Sequence, residues 1–193
     1  VSGRVARPFA ADRDGINIGE AAAVFLMTRV PMPGFPEGEP IGLLGYGASS
    51  DAWHMSSPRP DGEGAMQAIQ AALQGAGLSA GDLGWINLHG TGTTQNDAME
   101  SLAVVQTLGV DVPGTSTKPH TGHTLGAAGA LEAAIVWGFV SRQLNPSGAL
   151  PAQGNERDPS LAPLRLTRPG DCWPSGRRLG LSTSFAFGGN NMA

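Results

Sequence analysis

The sequence predicts an α/β protein built on a mixed sheet with right-handed crossovers. Two observations carry this. Short apolar runs alternate along the chain with segments whose apolar residues recur at helical spacing. Where such a run ends, a glycine-rich turn repeatedly leads into the next helix, which puts polar residues at strand carboxyl ends, where α/β sites form. No repeat shorter than a whole βα unit is visible.

The elements follow in order. Ala21–Arg29 (AAAVFLMTR) reads as a buried strand, and Ile41–Ser49 as a second, its glycines marking close backbone approach. Between them, Pro31–Pro40 is a Pro/Gly loop. Gly62–Ala76 carries Ala65, Ile69, Ala72 and Leu73 at helical spacing, and Gly77 is its stop signal. Leu83–Leu88 is a strand feeding His89. Asn96 is placed to cap a helix over Asp97–Leu108. Pro113–Thr117 is a short strand, and a helix of small residues runs over Leu125–Arg142. Asn145–Pro163 is a long polar loop, and Leu164–Thr167 and Leu179–Phe187 supply the last strands.

With 40% hydrophobic and 15% charged residues, the chain has the makings of a well-buried core and is not a disordered segment. A net charge of −4 gives no electrostatic reason to bind nucleic acid or an anionic membrane. No secretory segment or membrane-spanning apolar run stands out. A single cysteine, Cys172, excludes an internal disulfide and suits a reducing cytoplasm. It sits in a turn-rich stretch with no histidine beside it and reads as a structural or surface thiol. The chain opens on Val1 and stops after Gly188-Gly189-Asn190-Asn191-Met192-Ala193, and both ends read as cut from something longer.

Two histidine motifs stand out: His89-Gly90-Thr91-Gly92-Thr93, and Lys118-Pro119-His120-Thr121-Gly122-His123 running into Leu125-Gly126-Ala127-Ala128-Gly129. Lys118 is the sole lysine among 12 basic residues, and lysine and arginine are not interchangeable where a compact point charge is needed. A neutral imidazole donates one N–H, so His89 and His123 together would hold a developing thioester oxyanion. Each such donor is worth roughly 3 kcal/mol of transition-state stabilisation. A nearby ammonium disfavours a second positive charge and keeps the imidazoles neutral. Glu132 is placed to neutralise and orient Lys118, and the Thr91 and Thr93 hydroxyls suit an extended polar ligand arm.

Each motif has a plainer reading. His120 and His123 form H-x-x-H, but no cysteine or paired carboxylate completes a metal set. His54 reads as a surface histidine. Asp97 and Glu100, one turn apart, are either an acid pair or the carboxylates that a helix N-terminus favours. The glycine and alanine run at 126–130 is also what close helix packing requires. The aromatic motif Ser184-Phe185-Ala186-Phe187-Gly188-Gly189 offers either a core plug or a movable gate.

Together these segments resemble the C-terminal half of the β-ketoacyl-acyl-carrier-protein synthases, condensing enzymes of the thiolase-like fold that serve type II fatty acid or polyketide synthesis. Arg7-Pro8-Phe9, Arg13-Asp14-Gly15 and Gly19-Glu20 are similar to the family's segment at the start of that half. The His89 motif with Asp97 and Glu100, the Lys118–His123 motif with Glu132, and Phe185–Asn191 follow in the family's order. The resemblance implies one half of a layered α-β-α-β-α architecture, with residues 1–193 as the synthase C-terminal domain and the cysteine-bearing N-terminal half absent. Such a half standing alone should expose an association-prone face.

By the same resemblance, the full-length protein is an acyltransferase that performs decarboxylative Claisen condensation of malonyl-carrier protein with an acyl-cysteine. His89 and His123 take the enolate role, Lys118 organises the site, and Glu132, Asp97 and Glu100 support it. Thr91 and Thr93 would hold the phosphopantetheine arm, while Phe187 and Gly188 belong to the gate of the acyl pocket, Phe187 lending its backbone N–H to a second oxyanion hole. No cofactor is expected to be bound, the substrates being carried on the phosphopantetheine of acyl-carrier protein. Expected partners are that carrier protein, acyl and malonyl thioesters and, in the full-length protein, a second copy in a homodimer; nucleic acid and membrane are not, and the location is cytoplasmic. Lacking the nucleophilic cysteine, this chain alone should be inactive. Ala10, Ala21, Ala186 and Asn190 depart from the family pattern; Ala10 and the Ala186 and Asn190 pair bear on the gate and the acyl preference. The alternatives are a non-catalytic, chain-length-factor-like partner subunit, and a free-standing half that binds acyl chains. Retention of both histidines and the lysine favours the catalyst.

Overall fold

The computed structural model describes residues 1–29, 41–176 and 178–193. Among them the order is β1 (Ala48–Ser50), α1 (Glu63–Ala76), β2 (Trp85–Asn87), α2 (Thr94–Leu108), β3 (Pro113–Thr115), α3 (Lys118–Thr121), α4 (Ala128–Val140), β4 (Arg165–Leu166), β5 (Gly180–Ser182), β6 (Ser184–Ala186) and β7 (Asn190–Met192). Short 3-10 turns lie at Ala80–Asp82 and Leu125–Ala127.

The strands form a parallel sheet, β4-β3-β2-β5, and an antiparallel one, β1-β7-β6. Thr183 alone separates β5 from β6, so one stretch of backbone passes from the first sheet into the second. A parallel strand needs cover on both faces, and β2 has it. Ile86 joins the cluster of Phe9, Ile69, Leu88, Val104 and Leu108, while Trp85 points the other way, to Leu150 and Trp173. The Trp85 ring lies 5.4 Å from Phe139 and 6.1 Å from Trp173. With α2 packed on one side and α4 on the other, the loops after β2 and β3 open at the same sheet edge.

Helix α1 buries Ala65, Ala68, Ile69 and Ala72 and ends at Gly77, whose φ of 65° is the left-handed stop the sequence predicts. The glycines of the segment before β1 make the close approach expected of them: a Cβ on Gly47 would fall 2.0 Å from the Ala68 carbonyl oxygen.

Five sequence expectations are corrected. Ala21–Arg29 forms no strand; Val24 is 95% and Leu26 71% exposed, because no described strand runs beside the segment to complete its hydrogen bonds and cover its side chains. For the same reason Ile41–Ser49 is a strand only from Ala48, with Leu43 and Tyr46 exposed. Helix α2 starts at Thr94, with extended Thr93 in the cap position, so Asn96 lies inside the helix and does not cap it. The helix expected over Leu125–Arg142 is a 3-10 turn followed by α4, and Leu179–Phe187 is split at Thr183. The loop expected over Pro31–Pro40 lies outside the described residues.

Helix α4 (AGALEAAIVWGFV) is apolar on nearly every face, the pattern of a helix surrounded by protein. Here Ala128 and Glu132 are its buried residues, and Trp137 is 48% exposed. With Val24, Leu26, Leu43 and Tyr46, Trp137 adds to the apolar area that the described residues leave exposed. No described helix is long and apolar enough to cross a membrane.

Candidate active site

At the end of β2 the chain turns sharply through His89-Gly90-Thr91-Gly92, and two buried carboxylates from the start of α2 hold that turn. The Glu100 carboxylate accepts the N–H groups of His89 and Gly90, both at 2.7 Å. Asp97 accepts those of Thr91 (3.1 Å) and Gly92 (3.2 Å), and also the Phe9 N–H at 2.8 Å. A one-turn spacing on a helix presents both carboxylates to consecutive backbone amides. The turn also demands glycine: at Gly90, with φ of 31°, a Cβ would fall 2.5 Å from Ser116 Cβ.

The N-terminal segment braces the same turn. Gly15 N–H donates to the Gly92 carbonyl at 2.9 Å. Arg13 donates to Asp158 at 2.7 Å and sets its guanidinium 3.9 Å from Asp97. Further on, His123 N–H donates to the Asn17 carbonyl (2.7 Å) and Gly19 N–H to the His123 carbonyl (3.1 Å).

Lys118, in the short helix α3, is buried, and its ammonium faces three groups. It pairs with Glu132 of α4, donates to the His89 carbonyl, and lies 3.3 Å from His89 Nδ1. An ammonium has donors only, so His89 Nδ1 accepts and the ring proton sits on Nε2. His123 is fixed the same way from the backbone: its Nδ1 accepts the Leu125 N–H at 3.3 Å. Leu125 takes a φ of 51°, unusual for leucine, within the turn that presents this N–H. Both imidazoles are therefore Nε2–H donors, with ring centroids 5.3 Å apart at 86°. Phe185 closes the site edge-on, 5.8 Å from the His89 ring.

The electrostatics keep both rings uncharged. Burial, then Lys118, then His123 hold the His89 pKa well below the ordinary value. Burial and Lys118 bring His123 down to about 4. Burial raises Glu100 to about 7, against the opposing pull of its N–H bonds. Burial likewise raises Asp97, offset in part by the Phe9 N–H and Arg13.

For His123, the unfolded chain takes up its proton near 6.5 and the folded chain near 4. Its stabilising contribution is thus complete above about 6.5 and is lost as pH falls from there through 4. Glu100 has the opposite sign: its raised pKa favours the fold at low pH and costs stability as pH climbs from 4.5 through about 7. The two slopes oppose each other over much of one window, so overall stability hides both. In a residue-resolved NMR titration, the His123 ring signals are expected to move with a midpoint near 4. A midpoint at the ordinary histidine value would contradict the burial and the Lys118 proximity.

Of the residues singled out from sequence, His89, Lys118, His123, Glu132, Asp97 and Glu100 come together. Thr91 and Thr93 lie at their edge, their hydroxyls 2.8 Å apart. Phe187 and Gly188 lie on the turn between β6 and β7; the Phe187 side chain is 78% exposed, and Gly188 N–H is held by the Met55 carbonyl at 2.8 Å. Asp97 and Glu100 hold backbone amides, which neither sequence reading of them anticipated. Thr183 was not anticipated at all: its Oγ1 lies 3.1 Å from the His89 nitrogen and 2.9 Å from Glu100. A buried hydroxyl at the end of an apolar strand was the available signal.

The family described as the C-terminal domain of beta-ketoacyl synthase matches residues 42–148. A 3-oxoacyl-acyl-carrier-protein synthase 2 from Synechocystis is 35% identical over 96% of this chain and 44% of its own length. Its namesake from Rhizobium meliloti is 37% identical over 98% of this chain and 45% of its own. Among solved structures, one from a ketosynthase in complex with its chain length factor, from Xenorhabdus doucetiae, superposes with a TM-score of 0.80 at 42% identity. It covers 100% of this chain, which spans 46% of that one. The chain thus spans about half the length of the curated relatives it matches.

Proposed function

The chain belongs to the β-ketoacyl synthase family, and we propose that it supplies the enolate-stabilising half of a site for decarboxylative condensation. The observation that supports this most is the pair of neutral imidazoles. Each has its Nδ1 occupied as an acceptor, by Lys118 Nζ or by the Leu125 N–H, which leaves two Nε2–H donors in one place.

In this reading, a malonyl thioester carried on acyl-carrier protein loses its carboxylate as CO2. The electron pair of the breaking C–C bond moves onto the α-carbon and the thioester oxygen, and His89 and His123 donate to that oxygen as its charge grows. The α-carbon then attacks an acyl thioester on a cysteine lying outside this sequence, and the cysteine thiolate leaves. Lys118 performs no proton transfer here. Its ammonium holds the His89 tautomer and discourages either imidazole from charging, while Glu132 neutralises it. Thr91 and Thr93 hold the phosphopantetheine arm, and the Phe187–Gly188 turn gates the acyl pocket.

The test is to incubate the complete protein with malonyl-carrier protein and an acyl-carrier protein, following CO2 and the protein's mass. CO2 release with a cysteine-linked acyl group and a β-ketoacyl product supports the reading. No CO2 release would overturn it, and release without an acyl-enzyme would point to a partner subunit of the chain-length-factor kind.

A further inference from the structure

Thr183 occupies the one-residue gap between β5 and β6, with its side chain fully buried. Its hydroxyl oxygen accepts from the His89 N–H at 3.1 Å. Its single proton has two acceptors in reach: Glu100 Oε1 at 2.9 Å and, more distantly, the Asn87 carbonyl at 3.4 Å. Glu100 Oε1 itself takes the His89 N–H at 2.7 Å, and Oε2 takes that of Gly90. The His89 amide is therefore shared between a hydroxyl and a carboxylate that are bonded to each other.

We propose that Thr183 is a positioning residue: its hydroxyl fixes the backbone from which the His89 imidazole projects, and ties that placement to the ionisation of Glu100. While Glu100 is a carboxylate, the hydroxyl proton points to it and the amide has two strong acceptors. When Glu100 gains a proton on Oε1, the bond reverses: the carboxylic O–H donates to Thr183 Oγ1, and the hydroxyl turns to the Asn87 carbonyl. No group is orphaned by the reversal, but the His89 N–H loses its charged acceptor and is held more weakly.

The surroundings make the exchange relevant near neutrality. Burial brings the Glu100 pKa to about 7. The charged groups facing it are Asp97 on its own helix, which adds to the rise, and Lys118, whose ammonium sits on the far side of the His89 peptide. From α1, the side chains packed across α2 in this region are Ala65 and Met66, and β6 adds Phe185; none of these titrates.

The test uses the complete protein labelled for NMR, following the Glu100 carboxyl carbon and the His89 amide together. In the unaltered protein the amide is expected to co-titrate with Glu100; independent titration would overturn the proposal without any variant. In Thr183→Val, a near-isostere, the carboxylate loses a donor, so the Glu100 midpoint should rise by about one pH unit and the His89 amide should exchange roughly tenfold faster. Thr183→Ser should restore both. A Val variant with neither change, or a Ser variant that behaves like Val, would overturn it.

The consequence for turnover rests on the condensing-enzyme reading. In the complete protein, Thr183→Val should shift the pH profile of decarboxylation and lower kcat with KM within about twofold. An inactive unaltered protein would sink that functional reading and leave the NMR result to decide on Thr183.

Discussion

Lys118→Met is expected to destabilise the fold by about 3–5 kcal/mol, the usual cost of stranding one partner of a buried ion pair. The side chains of Lys118 and Glu132 are each 2% exposed, and Glu132 Oε2 already lacks a hydrogen-bond partner. Without the ammonium the carboxylate keeps its desolvation penalty and loses the attraction that offsets it. Two further measurements separate this from a simple packing loss. First, Glu132 should then be held neutral, since burial already raises its pKa and Lys118 is what opposes the rise. A raised folded pKa favours the fold at low pH, so the variant should recover stability as pH falls from neutrality, which urea melts would show. Second, Lys118→Met combined with Glu132→Leu should recover most of the loss, because both desolvated charges are then gone. A single variant as stable as the parent across pH 5–8 would mean that the pair is not buried as described.

The same pair shows what the sequence made legible. A lone lysine beside two histidines, with a glutamate downstream on a helix, identified the cluster before any geometry, because compact charge, neutral donor and counter-charge are each chemically distinctive. Two strands of the parallel sheet were legible for a similar reason: Leu83–Leu88 and Pro113–Thr117 are short runs bounded by turn-forming residues, and they contain β2 and β3. Ala21–Arg29 failed under identical reasoning. An apolar run reports that a segment is suited to burial, and a strand needs a neighbouring backbone to bond to; the described chain sets none beside it. The Asn96 misreading was local. A preferred cap residue lay within reach of the helix, but the positive φ of Gly92 followed by extended Thr93 started α2 earlier. The role of Asp97 and Glu100 was hidden because their partners are backbone amides, which leave no mark in a sequence.

On the proposed condensing function, His123→Ala in the complete protein is expected to lower the kcat of malonyl decarboxylation by about 10²–10³, the usual loss on removing one oxyanion donor. His89→Ala should match or exceed it, for a reason specific to this site. His89 Nδ1 is one of the groups facing the Lys118 ammonium, so deleting that ring also disturbs the buried pair. His123 takes its orienting bond from the Leu125 backbone, and its removal costs His89 a ring contact but leaves the Lys118–Glu132 pair untouched. Folding stability should therefore fall more in His89→Ala than in His123→Ala, while both lose turnover. The double variant should cost less than the product of the two singles, since donors to one oxygen act as a unit. The pH profile adds a sharper criterion. With the His123 pKa near 4, no acid limb of decarboxylation between pH 5 and 8 should belong to it. An acid limb near 6.5 that disappears in His123→Ala would show that this imidazole works charged, and the neutral-donor mechanism would fall.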